Sequence, residues 1–171
     1  TKYIAEMIKI IKDLIAKKHA YATPSGDGYF SVESFQKYGT LTNLKLDKLI
    51  QSKRVLSDEY SSDTIQDFAL WKAYKKSDGN VYWQSPWGKG RPGWHIECSA
   101  MAMNLLGNSI DIHCGGVDNK FPHHENEIAQ SECFSQSKFV NYWLHSDFLL
   151  VDGEKMSKSK GNFLSLIYIS E

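Results

Sequence analysis

Apolar side chains at Ile4, Met7, Ile8, Ile11, Leu14 and Ile15 recur every three or four residues with charged residues between them, so the spacing predicts an amphipathic helix from about Lys2 to Lys18. Such a stripe needs a surface to cover it. A Pro-Ser-Gly-Asp-Gly turn follows (Pro24 to Gly28), and the alternation over Tyr29 to Phe35 predicts a strand. Lysine-rich polar sequence with weak signals then runs to about Thr64, and residues 20–66 read as a small, partly irregular connecting region. At Asp67 the pattern changes. DFALWKAYKK opens on an apolar, strand-like run, and the Gly- and Pro-bearing SPWGKGRPGW leads into a helix from about Trp94 to Leu106. Ser109 to His113 reads as a short buried strand closed by Gly115 and Gly116, Pro122 to Cys133 as a helix with proline at its start, and Val140 to Val151 as another apolar strand. Strand, helix, strand, helix, strand predicts an α/β fold with a parallel sheet. The chain closes on the loop DGEKMSKSKGNF and an apolar stub, which divides it into residues 1–66, 67–153 and 154–171.

Composition narrows the function classes. The chain has 171 residues, 42% of them hydrophobic and 13% aromatic, enough to bury the core of one domain. Twenty basic and twenty acidic residues cancel, which excludes a grip on nucleic acid through bulk charge and leaves only local contacts. Three cysteines without a framework spacing, Cys98, Cys114 and Cys133, suit a reducing compartment, so a cytoplasmic location is expected. The charged first helix is no signal peptide, and no window approaches the roughly 18 apolar residues of a membrane span. Without an initiator Met, the chain is expected to begin inside a longer protein.

The chemistry concentrates in three places. GRPGWHIECSAM (Gly90 to Met101) and FPHHENEIAQSE (Phe121 to Glu132) offer a thiolate from Cys98, an imidazole from His123 and a carboxylate from Glu127, the last two on one helical face. Three ligands of these types are either a complete open zinc site or a closed one lacking a member. His124 with Glu127 is the runner-up pair, His124 can instead orient a ligand, and His95 is a weaker competitor. A lone buried cysteine is the bland reading of Cys98, but five polar residues opening an otherwise apolar helix have no packing rationale. Cys114-Gly115-Gly116-Val117-Asp118 ends a strand where open α/β sheets bind nucleotides, with glycine for close approach and aspartate for a ribose hydroxyl. Lys155 to Asn162 gathers three lysines and two hydroxyls on a loop suited to a transferring polyphosphate, against the plainer reading of a lysine-rich surface loop.

KMSKS at 155 to 159, with the two segments above, DFALWK at 67 to 72 and NYWLHSDFLLVDGEKMSKSKGNF at 141 to 163, resembles the cysteinyl-tRNA synthetases among class I aminoacyl-tRNA synthetases, over essentially the whole chain. The resemblance implies part of a Rossmann-like catalytic domain, a parallel sheet with flanking helices, plus a connecting insertion. It implies ATP-dependent activation of L-cysteine to cysteinyl-adenylate and transfer to tRNA(Cys), in a monomer. On the matching positions, Cys98, His123 and Glu127 bind one Zn2+ that takes the substrate thiolate, and Trp94 lines the amino-acid pocket. His113, Gly115, Gly116 and Asp118 meet substrate and adenosine. Lys155, Met156, Ser157, Lys158 and Ser159 meet ATP and its Mg2+, with Lys155 and Lys158 as the catalytic lysines. A hydrophobic pocket separates cysteine from serine by only about 1–3 kcal/mol, whereas zinc selects by bond strength and makes editing unnecessary.

Two departures accompany the resemblance. The family's HIGH-bearing half and a further zinc-binding cysteine lie upstream of these residues, so an internal fragment, inactive and weak in zinc by itself, is expected. Cys114 stands where the family has a small residue, which places a stray thiol beside the site. A cysteine:amino-sugar ligase of mycothiol synthesis and a non-catalytic zinc-binding relative share parts of the pattern; the HHENE segment and DFALWK favour the synthetase.

Overall fold

The computed structural model describes residues 2–43 and 67–162. Residues 44–66, with the weak signals up to Thr64, and the apolar stub after Asn162 lie outside them. Helix α1 (Ile4–Ala16) buries Met7, Ile10, Ile11 and Leu14. The expected stripe is therefore rotated slightly toward Ile10, with Ile4, Ile8 and Ile15 packed at its margin. Its C-terminal end is tied across the fold by Lys17, whose ammonium donates to the Phe134 carbonyl at 2.6 Å and pairs with Asp13 at 2.7 Å.

A five-stranded antiparallel sheet follows, in the order β1-β2-β3-β5-β4: β1 (Ala20–Ala22), β2 (Gly28–Phe30), β3 (Phe68–Ala73), β4 (Trp83–Ser85) and β5 (Gly88–Pro92). The strand expected over Tyr29 to Phe35 ends at Phe30, because the Val32 N–H turns to the Asp67 carboxylate at 3.0 Å and Val32–Ser34 coils into a 3-10 turn. DFALWK also departs from expectation. β3 runs antiparallel to both β2 and β5, so the first of the three strands assigned to the parallel sheet belongs instead to this one. The sheet spans the expected division at 66/67, since β1 and β2 lie on one side of it and β3 to β5 on the other. Gly93 continues the β3–β5 pairing one residue past β5: its N–H bonds the Leu70 carbonyl at 2.9 Å, and any Cβ there would strike the Ala69 carbonyl.

Helix α2 (Trp94–Leu106) starts directly after Gly93 and buries His95, Ile96, Ser99, Ala100 and Met103, a three-and-four spacing that faces the core. Its Ile96 joins Phe30, Phe68, Leu70, Trp71 and Phe139 in the hydrophobic centre. The parallel element is the pair β6 (Ile110–Gly116) and β7 (Val140–Ser146), in register from Ile110 against Val140 to Gly116 against Ser146. Helix α3 (Glu125–Ser135) lies in the crossover between them. Pro122 stands in a turn over Lys120–His124 that includes the extended Phe121, and the α-helix begins only at Glu125.

Neither β6 nor β7 is the buried strand that its apolar content predicts. Ile112, Tyr142 and Leu144 are 57%, 70% and 54% exposed on one face, which no described residue covers. The strand expected through Val151 stops at Ser146, and Leu150–Val151 forms a hairpin arm, β8, against β9 (Glu154–Lys155). Asp152 and Gly153 turn it, with φ of 53° and 78°, the positive pair that a tight hairpin prefers. No helix among the described residues is long and apolar enough to cross a membrane.

Candidate metal centre

Cys98 projects from the second turn of α2, His123 from the turn before α3, and Glu127 from the first turn of α3. Their donor atoms all lie within 4.8 Å of one another. Glu127 is fully buried, with one carboxylate oxygen 2.8 Å from His123 Nε2 and the other 3.2 Å from His113 Nε2. Burial raises its pKa, but the hydrogen bonds from His113 and His123 outweigh that effect and hold it below the usual carboxylate range. Burial, then Glu127 and Glu97, push the Cys98 thiol up to about 11.

These residues suit a zinc ion. A thiol held protonated beside an ionised carboxylate becomes a thiolate readily only when a cation neutralises the pair, and sulfur, nitrogen and oxygen are the donor types zinc accepts. With bonds of about 2.0–2.3 Å, tetrahedral ligand atoms stand roughly 3.5 Å apart, within the convergence found here.

The histidines around this trio have separate roles. His95 Nδ1 faces His123 Nδ1 at 2.8 Å, across that ring from the Nε2 that meets Glu127. Burial pushes its pKa down to about 3, with His123 adding. Gln130 anchors the same strut, donating to the His95 carbonyl at 2.6 Å and to Ser99 Oγ at 2.5 Å. His124 forms a second convergent group with His113 and Glu127, again within 4.8 Å, and its Nδ1 lies 2.8 Å from His145 Nε2. Burial pushes His124 down to about 4.

Trp94, half exposed, stacks over His123 with ring centroids 4.3 Å apart and forms an aromatic wall beside the trio. Gly115 passes against His124: a Cβ there would lie 2.5 Å from that ring's Cε1. Gly116 similarly leaves room for the exposed Asp118 carboxylate to fold back over the strand end. Cys114 pairs with Leu144 and, alternating with His113, points to the other face of β6. The expected stray thiol is thus turned away from the trio.

The lysine loop is bound up locally. Asn162 spans it, accepting from the Ser157 N–H at 2.9 Å and donating to the Lys155 carbonyl at 3.2 Å, while the Met156 N–H bonds Leu149 O at 2.8 Å. Ser157 and Ser159 hydroxyls meet at 3.2 Å. The Lys155 ammonium rests 3.4 Å from the Phe148 ring centroid, and Lys158 opens a short 3-10 turn, Lys158–Lys160.

Sequence reasoning missed His113 as a neighbour of Glu127, and it missed His145 and Trp143 altogether. One signal was present: residues 143 and 145 share a face of β7 in register with 113 and 115 of β6.

A strand-helix-strand crossover whose first strand ends in Gly-Gly, a convergent Cys-His-Glu trio and a hairpin-borne lysine loop are the features expected of a class I synthetase catalytic domain. The family model of class I (C) tRNA synthetase catalytic domains matches residues 1–169, and the chain belongs to that family. It is 60% identical over 167 residues to the cysteine–tRNA ligase of Chlamydia felis and 60% identical over 168 residues to that of Brachyspira hyodysenteriae, each match covering 97% of this chain. The cysteine–tRNA ligase of Chlamydia trachomatis serovar D is 57% identical over 167 residues. The chain spans about a third (35%) of the length of these relatives.

Proposed function

We propose that the protein carrying this chain activates L-cysteine with ATP and Mg2+ to cysteinyl-adenylate and transfers the cysteinyl group to tRNA(Cys). The convergence of Cys98, His123 and Glu127 carries this reading, and the name of the relatives supports it. These three residues would hold Zn2+, which supplies a soft Lewis acid with strong preference for sulfur over a hydroxyl oxygen. Trp94 walls the amino-acid pocket over His123, and His113 lines it from β6. Gly115 and Gly116 bring backbone close to the nucleotide, and Asp118 accepts from a ribose hydroxyl.

Activation needs no protein nucleophile. The amino acid's carboxylate oxygen bonds to the α-phosphorus of ATP as the bond to the pyrophosphate oxygen breaks, and negative charge grows on the leaving group. Lys155 and Lys158 meet that charge, and the backbone and hydroxyls of Met156, Ser157 and Ser159 shape the loop around it. The complete gene product is expected to exchange pyrophosphate into ATP only with cysteine present. Equal exchange with serine in large excess would overturn selection by sulfur, and absence of exchange with cysteine would overturn the reading as a whole.

A further inference from the structure

Glu125 opens α3 between the two ligands His123 and Glu127, and it is fully buried. One carboxylate oxygen accepts the Gly39 N–H at 3.0 Å; the other accepts the Thr42 N–H at 2.8 Å and lies 3.0 Å from the Thr42 hydroxyl. Its neighbour Asn126, also fully buried, accepts from the Tyr38 hydroxyl. Two adjacent side chains thus clamp residues 38–42, more than eighty positions away in the chain, to the first turn of the metal-bearing helix.

The helix needs such a clamp. The turn before it is irregular at Phe121, and no side chain caps its N-terminus, so helical hydrogen bonds alone do not set where His123 and Glu127 sit. A buried carboxylate costs far more to desolvate than an alanine or a leucine, and here three donors and the positive end of the helix offset that.

We propose that Glu125 is a positioning residue of the metal centre, fixing the first turn of α3 to the connecting segment so that His123 and Glu127 are held at ligand spacing. This rests on the zinc reading of Cys98, His123 and Glu127. The test uses the complete gene product, with cobalt(II) as probe. Glu125→Gln sets an amide N–H2 against buried donors; it is expected to lower the melting temperature and, in the folded protein, to weaken cobalt binding about tenfold and alter the visible cobalt bands. Glu125→Asp, which keeps both acceptor oxygens, is expected to restore part of the affinity. Unchanged affinity and bands in a folded Glu125→Gln protein overturn the proposal, as does an affinity loss that leaves the cobalt bands unaltered. Should Glu125→Gln not fold, Thr42→Val removes one donor of the same clamp. Altered cobalt bands there support the proposal and unaltered ones overturn it. Wild-type affinity retained in Cys98→Ala overturns the zinc reading itself, and this inference with it.

Discussion

The Nδ1 atoms of His95 and His123 face each other at 2.8 Å, while His123 Nε2 lies 2.8 Å from Glu127. Only one of two facing ring nitrogens can carry the shared hydrogen. For His123 to offer its Nε2 lone pair to a cation it must be protonated at Nδ1, and His95 must then accept there. His95 therefore sets which nitrogen of His123 is available. His95→Leu is expected to lower zinc affinity about 10- to 100-fold, and His95→Asn, which keeps an acceptor near the Nδ1 position, is expected to lower it less. Competition with a chromophoric chelator measures both.

Cys98 should make metal binding strongly pH-dependent. Its thiol is raised to about 11, so at neutral pH it is protonated and must release a proton to become a ligand. Affinity is expected to rise with pH, by up to about tenfold per unit for that one proton, and Cys98→Ser should flatten the dependence as it weakens binding. Titrations across neutral pH decide this; a pH-independent affinity contradicts it.

Two imidazoles predict acid sensitivity of the metal-free protein. His95 and His124 are held neutral in the fold, down to about 3 and about 4, whereas an unfolded chain protonates both near pH 6.5. Their folded pKa values are depressed, so the stability is present above about 6.5 and is lost as pH falls toward 4. The slope is about 1.4 kcal/mol per pH unit for each ring. Urea midpoints should fall steadily over that window; a constant midpoint would refute the assignment.

Gly115→Ala should disturb the histidine cluster from the strand side. The added Cβ would lie 2.5 Å and 2.9 Å from two atoms of the His124 ring, which must give way and break its 2.8 Å contact with His145. Thermal or chemical unfolding is expected to show a loss of about 1–3 kcal/mol.

Lys158→Ala is expected to slow pyrophosphate exchange about 100-fold, the scale for removing one group that meets transition-state charge. Zinc content should stay at the wild-type level, since the lysine loop's hydrogen bonds run within its own hairpin and to Leu149. Metal analysis beside the exchange assay separates the two roles.

Local pattern determined α1 and α2, because a helix's period is a property of consecutive residues. It also determined the three donors, since their chemistry is written in residue type. Tertiary structure decided the rest. β3 has the same apolar run as a parallel strand, but it pairs antiparallel with the strands on either side of it. β6 and β7 read as buried, yet burial depends on what lies over a face, and Ile112, Tyr142 and Leu144 have nothing over theirs among the described residues. The start of α3 shows the opposite case. Glu125, Asn126, Glu127, Gln130 and Ser131 are all polar by sequence, yet all are buried. Partners 28 to 88 residues away in the chain accommodate His123 and the polar residues Glu125, Asn126, Gln130 and Ser131. Hydropathy along the sequence cannot register such partners, because a buried polar group is tolerated only through hydrogen bonds that folding alone brings together.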